Sequence, residues 1–396
     1  MKKSIWLIIG LVFLVAVEIF RVYFIMPFPG SQKNDTISIA YFLHKNIWWL
    51  RIVGIVIIVG PLLHSLSKGR IWQKTLLVLA ILLYGFVYYL FNFQFLADKI
   101  FKQPTHKVFA PADKDTTDKD KLILGIVINN QAKAYPIEII GYHHQVRDTL
   151  SLQPVMITYC TVCRTGRIYS PMVNGKNEEF RLVGMDHFNA MFEDATTKSW
   201  WRQATGQAIA GDLKGAQLTE LPSAQMRLGE WLALYPASEI LQADTLYKKA
   251  YADLKGYDEG TVKGKLERRD SISWQSKSWV IGVTAKGNHK AYDWNALMKQ
   301  KMISDSMAGT PMLLTIEPNN KTYYALNRNV NGQTLQFVPG GSKDLMEDLQ
   351  THSAWKLNGT CTAGALQGKQ LAQIQAYQEF WHSWKQFHPN TTIYQN

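Results

Sequence analysis

The sequence predicts a three-helix transmembrane anchor at the N-terminus, followed by an α+β, strand-rich extracytoplasmic domain built from two tandem repeats. Three observations carry that fold class. Residues 1–98 hold three long apolar runs flanked by Lys and Arg. Beyond them, short β-branched runs alternate with Gly-, Asn- and Pro-containing turns. Lys133-Ala134-Tyr135 also returns as Lys290-Ala291-Tyr292, with many further identities at the same offset.

The first apolar run, Ile5 to Met26, follows Lys2 and Lys3 and has no small-residue cleavage site after it, so it reads as an anchor and not a removable leader. Glu18 and Arg21 interrupt it at a spacing that lets them pair on one helix face. The second run covers Trp48 to Leu66, with Arg51 near its start and Pro61 as a kink point. The third, Leu76 to Leu96, places Asn92 and Gln94 near its exit. Lys68, Arg70 and Lys74 crowd the short loop between runs two and three, as Lys2 and Lys3 crowd the start. The positive-inside rule assigns both clusters to the cytoplasm, leaving everything after Leu96 on the periplasmic side of an inner membrane.

Composition narrows the function classes. The chain carries 43 Lys and Arg against 31 Asp and Glu, a formal charge of +12. No basic block is interleaved with base-stacking aromatics, so the excess is not a nucleic-acid footprint. Three cysteines, Cys160, Cys163 and Cys361, are too few for a disulfide scaffold. There is no phosphate loop, nucleophile elbow, HExxH or heme-attachment motif, and no nucleotide-cofactor signature. The expected partners are the lipid bilayer and an envelope partner or small ligand.

Residues 99–120, with Pro104, Pro111 and a run of Asp, Lys and Thr, form a polar linker. The first repeat is 121–241, an inter-repeat segment is 242–277, and the second, degenerate repeat is 278–396. At the common offset Gly125 meets Gly282, Asp148 meets Asp305 and Val173-Asn174-Gly175 meets Val330-Asn331-Gly332. After small gaps Ser199 meets Ser353, Trp201 meets Trp355 and Trp231 meets Trp384. Within the first repeat, Leu122–Ile128 and Lys133–Tyr135 form a hairpin over Asn129-Asn130, and a helix covers Ile137–Val146. Strands follow at Val155–Tyr159, Arg167–Tyr169 and Phe180–Val183, and a terminal helix covers Ala224–Leu234.

Residues kept in both repeats serve the shared fold, whereas chemical side chains present once mark a site. Asp148, Ser199 and Trp201 persist. The reactive set does not: His143 faces Gln300, His144 faces Lys301, Cys160 faces Glu317, Cys163 faces Asn320 and Arg164 faces Lys321. His187 falls in or beside a gap. The first repeat therefore carries the chemistry.

The blocks GIVINNQAKAYPIEII, PVMITYCTVCRTGRIYSPMVNG, MDHFNAMFED and SWWRQATGQAIAGDLKG match in order a known pattern, and the chain resembles the bacterial domain-of-unknown-function family 3179. The resemblance covers nearly all of 121–241, with a weaker echo in FWHSWKQFHPNTTIY. It places the family's histidine on His143 and its cysteine pair on Cys160 and Cys163, while His187 belongs to an MDHFNAMFED subgroup. The family brings no established activity with it.

Cys160 and Cys163 on a turn between strands form half of a zinc-knuckle pattern. His143 and His187 are the expected further ligands, with His144 and Asp186 as substitutes, for a zinc or copper ion. A redox dithiol is the alternative, with Arg164 and Arg167 stabilising a thiolate, although no helix starts at the first cysteine as in thioredoxin-like sites. An inert turn staple and a non-catalytic, membrane-tethered binding module also fit the residues. Arg164, Asp186 and Trp200 are candidate pocket residues beside the thiols. Cys361, without a partner thiol, reads as a buried small apolar residue.

Overall fold

The computed structural model describes residues 2–395, apart from the side chains of residues 2–4; Met1 and Asn396 lie outside the described residues, as do the side chains of Lys2 and Lys3. The chain divides into two compact units, Met1–Lys102 with Lys176–Gln217, and Gln103–Gly175 with Leu218–Asn396. Part of the segment expected to form the first repeat thus groups with the N-terminal helices.

In the first unit, α1 (Lys2–Tyr23), α2 (Ile37–Lys45), α3 (Ile47–Lys68) and α4 (Ile71–Tyr89) follow in order, and α4 continues as a π-helical turn, Leu90–Gln94. Three stretches, Ile5–Tyr23, Ile47–Lys68 and Ile71–Gln94, are long and apolar enough to cross a membrane, with mean hydropathies of 2.5, 1.9 and 2.1. α1 and α3 pack closely through small residues: a Cβ on Gly10 would lie 2.2 Å from Ile58, and one on Gly54 2.4 Å from Leu14. α3 runs through Pro61.

Glu18 does not pair with Arg21. It is fully buried and takes the Arg51 guanidinium in a two-pronged contact at 2.7 and 2.8 Å. Arg21 instead donates to the Asn92 side-chain oxygen at 2.7 Å and to the Phe91 carbonyl at 3.2 Å. The reason is geometric. A fork-shaped guanidinium on a neighbouring helix meets both carboxylate oxygens, which a partner one turn along the same helix does less well. The π turn carries Asn92, whose amide donates to Glu18 at 2.9 Å.

The same unit holds a four-stranded antiparallel sheet in the order Ala208–Ala210, Trp200–Arg202, Asn189–Asp194, Phe180–Asp186. Asp194 holds its corner, accepting from the backbone N–H of Thr197 and Ser199 and from Trp201 Nε1 at 2.9 Å.

In the second unit, β1 (Phe109–Pro111), β2 (Leu122–Ile128) and β3 (Gln131–Pro136) form a five-stranded sheet with Ala224–Arg227 and Glu239–Leu241. Asn129 and Asn130 both have positive φ, 48° and 65°, the backbone that a two-residue hairpin between twisted strands requires. β4 (Gln145–Leu150), β5 (Gln153–Cys160) and β6 (Thr165–Tyr169) build a second sheet with Glu220–Leu221.

Further along, Trp279–Ala285 and Asn288–Asp293 make another hairpin, followed by the helix Trp294–Gln300 and the three-stranded sheet Met302–Met307, Thr310–Ile316, Tyr323–Asn327. Another four-stranded sheet, Phe337–Pro339 to Cys361–Ala363, has Asp348 at its corner bonded to Thr351, Ser353 and Trp355. Gly125 and Gly282 are where Trp231 and Trp384 lie on the first strand of each hairpin; a Cβ there would meet the indoles at 2.4 and 2.1 Å.

Two boundaries differ from expectation. The helix expected over Ile137–Val146 ends at His143, because His144 turns left-handed (φ 60°) and releases Gln145–Leu150 into β4. The helix expected over Ala224–Leu234 begins at Leu228, since Ala224–Arg227 pair with β2. In both places strand pairing outweighs local helical periodicity.

Candidate functional site

β5 ends at Cys160 and β6 begins at Thr165, and these two residues pair across the hairpin. Between them the chain turns through Thr161, Val162, Cys163 and Arg164, the last in the left-handed region (φ 54°). Both cysteines are thiols, not joined in a disulfide, and neither has solvent exposure. They are close enough for a hydrogen bond between the two sulfurs. Burial, reinforced by that neighbour, pushes the Cys163 thiol well above its ordinary pKa, while Ser383 and the Lys277 ammonium act in the opposite direction.

The turn is covered by residues from much later in the chain. Lys277 Nζ donates to the Val162 carbonyl at 2.7 Å, and the Phe380 N–H donates to the Cys163 carbonyl at 2.9 Å. His382 Nε2 lies 3.1 Å from the same Val162 oxygen and 3.2 Å from Lys277 Nζ. Burial, and then the nearby ammonium, push that imidazole down to about 4, so it is neutral at pH 7. Burial also lowers the pKa of Lys277, which the two cysteines and Glu267 partly offset.

The arginines next to the thiols have other work. Arg164, fully buried, donates to Gln378 Oε1 (3.0 Å) and to the carbonyls of Tyr257 (2.9 Å) and Asp258 (3.3 Å), with its guanidinium 3.8 Å from the Trp279 ring centre. Arg167 meets buried Glu379 at 2.5 Å, and Thr165 Oγ1 donates to the same carboxylate oxygen at 2.7 Å. Burial alone would weaken the Arg167 charge; Glu379, with Tyr377, Glu220 and Tyr169, outweighs it and raises the pKa above the ordinary value. Lys277 is a cation whose field reaches Cys163, while Arg164 and Arg167, the cations expected from the sequence, are engaged by Gln378 and Glu379.

His143 is buried in an aromatic setting. Its Nε2 is 2.7 Å from the Tyr251 hydroxyl, and its ring meets those of Tyr142, Tyr247 and Tyr251 edge-on. His144 Nδ1 is 3.1 Å from the Tyr142 carbonyl, and burial pushes this imidazole down to about 4. Among the described residues no group of three or more His, Cys, Asp or Glu side chains is arranged to hold a metal ion; of the expected ligands, His143, Cys160 and Cys163 lie in one unit and His187 in the other. The cage of tyrosines, which supplies a hydroxyl partner for the imidazole, accounts for the position of His143.

His187, Asp186 and Trp200 belong to the other unit. His187 Nδ1 meets Asp186 at 2.7 Å, and Arg202 Nε meets the second Asp186 oxygen at 2.7 Å. Burial would raise the Asp186 carboxyl, but His187 and Arg202 together hold it below its ordinary value. Trp200 Nε1 donates to Glu193 at 2.9 Å and its ring packs against Tyr41 and His44, so it is a satisfied core side chain.

Lys277, His382 and Ser383 were not among the residues singled out from sequence. His382 and Ser383 lie within FWHSWKQFH, which the sequence marks only as an echo of the first repeat. No sequence feature ties Lys277 to a turn more than a hundred residues earlier.

Fold and site together define a strand-rich protein with three membrane-length helices and a sheltered dithiol. A family model described as "Protein of unknown function (DUF3179)" matches residues 102–391, and the chain belongs to that family. No curated protein and no solved structure matches it.

Proposed function

We propose that the protein is a membrane-anchored thiol–disulfide protein of the cell envelope, in which Cys160 and Cys163 interconvert between dithiol and disulfide. The observation that carries this reading is the proximity of the two sulfurs: Cys160 and Cys163 flank one buried turn within hydrogen-bonding reach of each other, and the charge of Lys277 reaches both. On oxidation the two S–H bonds break, an S–S bond forms, and two protons leave. The two electrons reduce a disulfide of the partner to two thiols.

Burial makes the exchange conditional. The partner reaches a sulfur only when the cover of Lys277, Phe380 and Ser383 lifts. The charge bias of Lys68, Arg70 and Lys74 supports an extracytoplasmic site, where disulfide chemistry is possible. The matching corner networks of Asp194 and Asp348 support tandem duplication, in which the second copy helps to shelter the thiols of the first.

A second reading draws on the same two sulfurs. A tetrahedral zinc needs two further ligands, whereas a pair of thiolates alone suits a soft ion such as Cu(I).

The test uses the full chain in detergent, equilibrated with graded mixtures of reduced and oxidised glutathione, acid-quenched and mass-tagged at the remaining thiols. The Cys160 and Cys163 thiols should be lost jointly and without glutathione adducts, while Cys361 stays reduced. Cys163→Ser should abolish the paired transition. Thiols that oxidise only after unfolding would remove the redox reading, and stoichiometric copper co-purifying with protected thiols would favour the second.

A further inference from the structure

A cavity of about 500 Å³ opens among α1, α3 and α4 at the end of the anchor that carries the α3–α4 loop. Its volume falls within the range of small-molecule sites. Leu7, Leu11 and Leu76 supply apolar wall, whereas His64, Lys68 and Gln73 supply a polar end. Leu77, in the groove wall, is the buried residue of α4.

We infer that this groove binds one anionic phospholipid, with an acyl chain along the leucines and the phosphate against Lys68. Charge complementarity favours that occupant. Among the described residues no Asp or Glu lines the groove, and Lys68 is a cation on its rim. Gln73 Oε1 already accepts the Arg70 N–H at 2.8 Å, which assigns its NH2 group as the donor end of the side chain. The lysine lies at the end of a membrane-length helix, where lipid phosphates lie, and its stem can follow the apolar wall while the ammonium reaches the headgroup. A zwitterionic lipid would fill the apolar part equally but bring its own cation to the rim.

The experiment is native mass spectrometry of the full-length protein in detergent. The probes are dioleoyl phosphatidylglycerol, dioleoyl phosphatidylcholine and inorganic phosphate. One phosphatidylglycerol should be retained in preference to phosphatidylcholine, and inorganic phosphate should not displace it. Lys68→Gln should weaken retention about fivefold, the effect of removing one cation beside an anionic headgroup. Arg70→Gln, outside the groove, should change it less than about twofold, and Ala80→Phe should weaken both lipids alike by filling the apolar end. Equal retention of the two lipids, or equal losses in the Lys68 and Arg70 variants, would overturn the assignment. Displacement by inorganic phosphate would also do so.

Discussion

Replacing Glu379 by alanine should uncover the thiols without touching them. Glu379 has no solvent exposure and its Oε1 takes both the Arg167 guanidinium and the Thr165 hydroxyl. Its removal leaves a buried arginine whose other carboxylate partner, Glu220, is 3.6 Å away and partly exposed. Breaking a buried pair from one side costs about 3–5 kcal/mol. Because Glu220 partly compensates, the lower end applies, about 3 kcal/mol. The next residue, Phe380, holds the Cys163 carbonyl, so this loss falls on the cover itself. If labelling follows the open population, about 3 kcal/mol raises the alkylation rate of Cys160 and Cys163 roughly a hundredfold, at about 1.4 kcal/mol per factor of ten. The assay is iodoacetamide labelling of the native full-length protein, read peptide by peptide. Glu379→Gln, which keeps an acceptor, should raise the rate by less. Arg167→Met combined with Glu379→Leu should return it to within about tenfold of the parent, since an apolar pair removes the unpaired charge. Labelling of Glu379→Ala within about threefold of the parent would refute the idea that this ion pair holds the cover closed.

Changes of pH and of the anchor's own charges should act as follows. The raised pKa of Cys163 means that folding favours its neutral thiol; this stability is full below the unfolded thiol pKa and is lost as pH rises through the higher folded value, and Cys163→Ser should flatten that alkaline limb of a stability–pH profile. His144, His382 and His388, each pushed down to about 4 from 6.5, work in the opposite sense: their contribution is present above the unfolded value and is lost as pH falls towards the folded one, and His382→Gln should reduce that acid-side slope. Glu18→Gln should leave Arg51 without its counter-charge among the membrane-length helices, destabilising the anchor by about 3 kcal/mol in a detergent-unfolding titration, while Arg21→Gln should cost less because its contacts are to Asn92 and a carbonyl.

The features legible in the sequence are those set by local chemistry. The three apolar runs became membrane-length helices, and Asn129-Asn130 became the hairpin turn because these residues tolerate positive φ. The strand–turn–strand around Cys160 and Cys163 followed from β-branched runs on either side of a turn. What stayed hidden depends on long-range contact. Glu18 had a same-helix partner in the sequence, but the better geometry lay on α3. Arg164 and Arg167 stood next to the thiols in sequence, yet Gln378 and Glu379 claimed them. Likewise, nothing in the periodicity of Trp381–Phe387 says that the residues at its start cover a turn formed by Thr161–Arg164.

Cys361 shows why burial is not enough to explain the pair. It too is buried, and burial raises its thiol pKa, yet its sulfur meets the Ala363 carbonyl at 3.5 Å and Ser353, and among the described residues neither a second sulfur nor a cation acts on it. At Cys160 and Cys163 the low-dielectric setting is joined by a neighbouring sulfur and by Lys277, whose ammonium is itself weakened by burial. These neighbours pull in opposite directions. The closed cover keeps the proton on Cys163, while the cation beside it would stabilise the thiolate once water enters. In the proposed exchange, opening does two things together: it admits a partner's disulfide to the sulfurs and relieves the penalty on their ionised form. On that proposal the dithiol is quiet when covered and reactive when uncovered, and the difference rests on contacts at Lys277, Phe380 and Glu379, not on the cysteines alone.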